Sequence, residues 1–515
     1  MQAERAKHDS EASELASASS IDSNTLRLRA TSASAFKLYL VLVVPSLGSI
    51  CTGYDIAVMN YINGMEQYLE YFQLEGQNSG GGVGSTTGLI FAMFTLGTCS
   101  MVLFAGPIAD IFGRRGALVC GGLLALIGTV IMTFAQNIAY LKSGRFLIGA
   151  ATALIQVAAP MYVTEISPPQ WRGRATGIYA GLWGVRFAFF HSTLLAIALV
   201  ATIVSGVVTN VTSAWPNSAS WRVPLGLQII PAAGVFLFAF LIPESPRWLV
   251  SVGQHERACR ILSEYHGNRD VDAPLVVLEL RELAQSIKTD ATKSAWWDYA
   301  ALVRTRSDRH RSAVLLLLAL TGQWAGVSLS YFLVVLLASD RVSAQSMRIL
   351  LSLVSGIVAA FGGVVGGLLS DNLGRRRLWF WGTVCCTVSL IISGVCTAVS
   401  GKNIAVSNTA ITFIFLFTFF YCATYVPLPA AYTSECMPFE KRANGVAMYT
   451  FAASLASLIS TYATPIALSN IGWRLYLVFI GWDLLACVLI YCFAVETSGK
   501  TLEELEAIFD GEGTQ

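Results

Sequence analysis

The strongest constraint on this chain is a series of twelve apolar runs. They lie near residues 37–60, 85–106, 117–135, 140–163, 174–208, 223–243, 311–339, 345–369, 377–399, 407–433, 444–468 and 472–495. Crossing the hydrocarbon core of a bilayer as a helix takes about 20 apolar residues. Backbone polar groups in lipid must be satisfied within the segment, so such runs span as helices. Of 515 residues, 54% are hydrophobic and 13% are charged, against about a quarter charged in soluble domains. That composition excludes a soluble fold and a disordered chain. The formal net charge of +2 gives a nucleic-acid partner no electrostatic support. The expected fold class is an all-α polytopic membrane protein with twelve transmembrane helices, whose surroundings are the lipid bilayer.

Lys and Arg test the sidedness of such a protein. With the N-terminus inside, inner segments hold twenty-six of the 34 basic residues and outer segments six. Both termini are therefore expected in the cytosol. Residues 1–36 are polar and rich in Ser and Ala, without an apolar signal core, and read as a disordered cytosolic tail. Asn210-Val211-Thr212, at the outer end of the fifth span, is a glycosylation sequon on the permitted side. The 11 Cys sit mostly in apolar runs, and the five His are scattered, so neither a disulfide framework nor a metal site is expected.

Three motif pairs recur six spans apart. Gly106-x-x-x-Asp110-x-x-Gly113-Arg114-Arg115 follows the second span, and Gly367-x-x-x-Asp371-x-x-Gly374-Arg375-Arg376 follows the eighth. Glu165-x-x-Pro168-x-x-x-Arg172 follows the fourth, and Glu435-x-x-Pro438-x-x-x-Arg442 the tenth. Glu244 ends the sixth, and Glu496 ends the twelfth. Two pseudo-symmetric six-helix bundles, 37–243 and 311–495, are thus expected. A cytosolic helical linker at 244–310 joins them, and a tail follows at 496–515. Repeats of this kind belong to carriers with a site between the halves. Asp, Glu and Arg at the inner helix ends can bridge neighbouring helices by charge-assisted bonds. Making and breaking such bridges biases one access state over another.

With these motifs the sequence resembles the major facilitator superfamily, and within it the sugar porter family. Gly53-Tyr54-Asp55, Gly144-Arg145, Pro160-x-Tyr162-x-x-Glu165, Pro243-Glu244-Ser245-Pro246-Arg247-Trp248 and the Glu496–Glu504 run carry the match over about residues 37–510. Gln323-Trp324-Ala325-Gly326 and Pro427-Leu428-x-x-x-Tyr432 are similar to the fungal lactose/hexose permease branch. The resemblance implies a proton-coupled or facilitative carrier working by alternating access. It implies no cofactor, with protons as the coupling ion. It also implies short amphipathic helices in the linker, which fits Glu256–Tyr265 and Leu278–Ile287.

Asp55 lies well inside the first span, and a carboxylate there is costly and by default functional. Arg145 in the fourth span can supply its counter-charge. In the resembling symporters the matching Asp carries the proton and the matching Arg gates it. A purely structural bridge between two helices is the other reading.

At the substrate positions the match thins. Family hydrogen-bonding residues are replaced by Ala180, Gly322 and Ala430, and Ser328 stands where an Asn is usual. Candidate ligands for a small-molecule substrate are Gln156, Gln323, Trp324, Ser328, Tyr331 and Tyr425, though packing is the alternative for each aromatic. Arg186 stands about 18 Å into the fifth span at 1.5 Å per residue. It can either attract a substrate carboxylate or pair structurally. His191 falls on the helix face of Ala180. Asp483 in the twelfth span is a further buried charge without an evident partner.

The expected protein is a non-enzyme. It is a secondary carrier importing a sugar or related polyhydroxylated molecule as a monomer at the plasma membrane. An exporter, or a carrier of a metabolite or quinate-like organic acid, is the alternative. A non-transporting sugar sensor ranks below both, because only about 19 residues follow Glu496.

Overall fold

The computed structural model describes residues 33–74, 82–168, 191–267, 269–291, 299–339, 344–399, 403–438, 441–498, 500, 504–505 and 508–509. Among these, every regular element is helical. The N-terminal half holds α1 (Ala33–Ile62), α2 (Ser85–Ile111), α3 (Gly113–Thr133), α4 (Ile138–Ile166), α5 (His191–Thr212) and α6 (Ala219–Ala239). The linker forms α7 (Pro246–Ser251), α8 (His255–Tyr265) and α9 (Pro274–Ala291). The C-terminal half begins with α10 (Arg306–Trp324), α11 (Ser328–Tyr331), α12 (Leu333–Ser339) and α13 (Gln345–Leu373). It continues with α14 (Arg375–Val399), α15 (Ile404–Tyr425), α16 (Leu428–Cys436), α17 (Arg442–Ile471) and α18 (Leu475–Phe493).

Ten helical stretches among the described residues are long and apolar enough to cross a membrane. One of them, Asn444–Phe493, contains two spans that turn at Gly472. The fifth span contributes the shorter apolar stretch Thr202–Thr212. Large side chains such as Leu241, Trp381 and Val488 point outward, as a lipid-facing surface requires. Polar residues start several helices. Asn137 Oδ1 accepts the Ala139 and Tyr140 N–H groups at 3.0 and 3.2 Å, and Asn403 Oδ1 accepts Ala405 N–H at 3.0 Å.

Three spans differ from the continuous helices expected, the sixth by a break at Gln228. The seventh starts at Arg306, earlier than 311, because Thr305 and Asp308 form a capping box. It then breaks into three pieces where Gly326 takes φ +88°. The tenth ends at Tyr425 and resumes at Leu428, because Pro427 lacks the N–H that would continue the ladder.

The halves meet chiefly through two helix pairs, α2 with α17 and α5 with α13. These are the second span on the eleventh and the fifth on the eighth. Shifting either pair by six spans generates the other, which is the pseudo-twofold relation expected of the repeats. Within the C-terminal half, Gly362 and Gly366 let α13 approach the α15 backbone. A Cβ on Gly362 would meet Phe419 O at 2.5 Å, and one on Gly366 would collide with Ala423 O. The paired small residues of the eighth span therefore serve close packing.

The linker helices lie against the N-terminal half and define one face of the molecule, here the linker face. The His266 ring bridges Glu279 Oε2 on α9 at 2.6 Å and the Ile166 carbonyl at the end of α4 at 2.9 Å. Ser34 donates to the Glu264 carbonyl at 2.8 Å, and Lys37 pairs with the Glu264 carboxylate at 2.5 Å.

Candidate functional site

At the linker face the repeated motifs build two matching clusters. In the N-terminal half the Arg114 guanidinium clasps Glu165, with Nη2 to Oε1 at 3.1 Å and Nε to Oε2 at 2.9 Å. Its Nη1 also donates to exposed Asp110 at 3.1 Å. Glu244 Oε1 accepts the backbone N–H groups of Arg114, Arg115 and Ser245 at 3.0, 3.1 and 2.9 Å. The carboxylate thereby caps the positive end of α3. Gly113 is held at φ +79°, where a Cβ would run into the Glu244 carboxylate. Ser245 Oγ donates to Glu165 at 2.5 Å, and Arg115 reaches the Phe240 carbonyl at 2.7 Å.

The C-terminal half repeats this arrangement. Arg375 Nη2 donates to Glu435 Oε1 at 2.9 Å, and Glu496 Oε1 accepts the N–H groups of Arg375 and Ser498 at 2.8 and 3.1 Å. Gly374 stands at φ +88° against the Glu496 carboxylate. Thr497 Oγ1 donates to Glu435 at 2.6 Å, and Arg376 reaches the Tyr491 carbonyl at 2.7 Å. Arg172 lies outside the described residues, as do the side chains of Asp371 and Arg442. Burial raises the Glu244 carboxyl above its ordinary range. The Ser245, Arg115 and Arg114 N–H groups and the Arg114 charge pull in the other direction without cancelling it.

Inside the membrane region, Asp55 and Arg145 meet. Arg145 Nη1 donates to Asp55 Oδ2 at 2.6 Å, and both side chains are buried. Gln228, at the break between the two helical pieces of the sixth span, donates from Nε2 to Asp55 Oδ1 at 3.0 Å. The guanidinium rests over the rings of Phe94 and Phe91, at 4.7 and 5.8 Å from their centroids. One carboxylate thus ties the first, fourth and sixth spans together. Sequence reasoning found the pair and missed Gln228, whose one signal was a polar residue in the middle of an apolar run.

The candidate substrate residues separate into two groups. Gln156 is exposed, and Gln323 and Tyr331 are half-buried. Ser328 is buried and accepts a hydrogen bond from Thr464 Oγ1 at 2.8 Å. Trp324 donates to the Ala456 carbonyl at 3.0 Å and packs edge-on against Trp482. Buried Tyr425 shares a 2.7 Å hydrogen bond with Thr383 and stacks on Tyr421, whose hydroxyl donates to the Gly322 carbonyl at 2.7 Å. Arg186 lies outside the described residues, as does the side chain of His191. Asn210 sits half-buried in the last turn of α5. No group of three or more metal-ligating side chains occurs among the described residues.

Away from the linker, the halves close on each other. Asn60 Nδ2 donates to the Ser330 carbonyl at 3.1 Å, and the Phe91 and Phe332 rings lie 4.9 Å apart. Gly84 N–H donates to the Pro465 carbonyl at 3.2 Å, and Thr95 hydrogen-bonds Thr461 at 3.2 Å. Gln345 donates to Gln67 at 3.3 Å, and Arg348 pairs with Glu66 at 3.4 Å. None of these contacts was legible in the sequence, since each joins residues more than 200 positions apart.

Comparison with known proteins agrees with this geometry. The family model described as "Sugar (and other) transporter" matches residues 41–509. The chain is 27% identical over 477 residues to the MFS-type transporter criB of Aspergillus cristatus, covering 92% of this chain and 93% of that protein. It is 26% identical over 497 residues to the MFS glucose transporter mfs1 of Aspergillus flavus, covering 92% and 90%. The inward-open xylose transporter XylE from E. coli superposes with a TM-score of 0.71 at 19% identity, over 92% of this chain and 99% of that one. The twelve-helix fold, the paired charge clusters and the extent of the family match lead to one conclusion: this chain belongs to the sugar (and other) transporter family of membrane carriers.

Proposed function

We propose that this carrier imports a sugar or a related small polyhydroxylated molecule together with protons, by alternating access. The carrying observation is the buried Asp55, held by Arg145 and Gln228. While ionised, Asp55 needs the guanidinium, because an unpaired charge at this depth is costly. Protonation turns the ion pair into an ordinary hydrogen bond and loosens the junction of the first and fourth spans. That lowers the cost of the alternate state. The linker-face clusters join helices within each half, and the contacts away from the linker join the halves, so rocking requires the latter to break. The name of the glucose-transporter relative favours a sugar.

Both termini and the linker face are cytosolic in this reading, and the carrier works as a monomer at the plasma membrane. A glycan on Asn210, seen as a gel shift lost in Asn210→Gln, would fix the sidedness independently. The functional test is uptake of labelled sugars, polyols and quinate-like acids by yeast lacking hexose transport. Asp55→Asn is expected to abolish uphill accumulation and to spare exchange. Unchanged pH-driven uptake in that variant overturns proton coupling.

A second reading, a quinate-like organic acid as substrate, is favoured by the name of a relative, the quinate permease of Emericella nidulans, 26% identical over 493 residues. The Ser328, Trp324 and Tyr425 polar atoms already have protein partners. Arg186→Gln is then expected to lose acidic substrates selectively, whereas equal loss of neutral sugars assigns that Arg a structural role.

A further inference from the structure

Asp483 lies in α18, fully buried, and neither of its carboxylate oxygens has a hydrogen-bond partner among the described residues. No described Lys, Arg or His forms an ion pair with it. Of the helices packed on α18, α14 brings Cys386 within electrostatic range, and Tyr425 at the end of α15 lies within the same range. Cys487, one turn further along α18, is the third titratable group there. None of the three is a cation at neutral pH. The cations of α10 stand at the linker end, where His310 meets the Phe493 carbonyl. That level is about ten residues, or about 15 Å of helix, from Asp483. The other half supplies the contrast, since buried Asp55 has both a guanidinium and an amide donor.

A carboxylate at membrane depth with neither a counter-charge nor a donor carries the full cost of its desolvation. A carboxylic acid in the same place does not. We propose that Asp483 is a second proton-binding site, in the C-terminal half, occupied at neutral pH. Its position gives that proton a route of influence. Tyr425, within electrostatic range of the site, bonds Thr383 and, through the stacked Tyr421, connects to the Gly322 carbonyl near the break of the seventh span. Ionisation of Asp483 would therefore be felt next to the candidate substrate residues, since Trp482 packs on Trp324 and Tyr421 bonds the Gly322 carbonyl beside Gln323.

Infrared spectroscopy of the purified full chain in lipid nanodiscs tests this without knowledge of the substrate. At pH 7 the wild type is expected to show a protonated-carboxyl C=O band that shifts in D₂O. Asp483→Asn should lose it, Asp483→Glu should keep it at a displaced frequency, and Asp55→Asn should leave it in place. A wild-type spectrum with no such band at pH 7 overturns the proposal, whether or not the variants fold. So does an Asp483→Asn spectrum in which the band persists unchanged. Proton coupling through Asp55 fails separately, by unchanged pH-driven uptake in Asp55→Asn.

Discussion

The two halves of the carrier are nearly superposable in their charge chemistry at the linker face and differ within the membrane. At the face, each half uses an Arg to clasp a Glu, a second Glu to cap a helix start, and a left-handed Gly to admit that carboxylate. Inside, the N-terminal half holds a carboxylate with a cation and an amide, and the C-terminal half holds one with neither among the described residues. The shared part is the part that holds each bundle together where its helices emerge. The divergent part lies at membrane depth, away from the helix ends. The repeat therefore keeps what closes the helix ends and varies what surrounds a buried carboxylate.

The largest expected effect tests the divergence. Arg145→Gln leaves Asp55 buried without its cation, and breaking such a pair costs about 3–5 kcal/mol. The thermal unfolding midpoint of the purified protein should fall steeply, and adding Asp55→Asn should restore most of it. A double variant as unstable as the single one would show that Arg145 acts through its packing on Phe91 and Phe94.

A smaller effect measures how equal the linker-face clusters are. Glu165→Gln and Glu435→Gln each weaken a charge-assisted pair worth about 1.5–3 kcal/mol. The Glu165 side chain is 8% exposed and that of Glu435 29%. Solvent screening should make the N-terminal substitution the costlier of the two, and unfolding midpoints of the two variants would rank them.

The smallest effect concerns pH. Because burial raises the Glu244 carboxyl, the folded state holds its proton more tightly than the unfolded chain does. The stability it contributes is complete below the ordinary carboxyl range and is lost as pH rises through the raised value. Glu244→Gln should then gain stability relative to wild type as pH climbs out of the ordinary carboxyl range, and match it in more acid buffer. Unfolding midpoints that run parallel across this window would place Glu244 with an unburied carboxylate.

What was legible in the sequence followed from local composition and spacing. Apolar runs located the spans, and the identical spacing of Asp110 to Arg115 and Asp371 to Arg376 exposed the repeat. Asp55 and Arg145 could be paired because few charges occur at membrane depth. Partners set by helix rotation and inter-helix register were not legible. Gln228 reaches Asp55 because the sixth span breaks beside it, and Ser328 meets Thr464 because the seventh span breaks at Gly326. The Asn60 bond to Ser330 depends on how the two halves are set against each other. A linear pattern carries none of these distances.

The attachment of the linker helices has a consequence for which parts of the carrier belong together. His266 and Glu279 fasten α8 and α9 to the N-terminal half, whereas Leu302 belongs to the core of the C-terminal half, where its carbonyl accepts from Ser312 at 2.8 Å. The described part of the linker is therefore divided, with α8 and α9 fixed to the N-terminal half and Leu302 built into the C-terminal one. Any rocking of the two halves would then carry α8 and α9 along as part of the N-terminal body, because the His266 bridge joins them to α4.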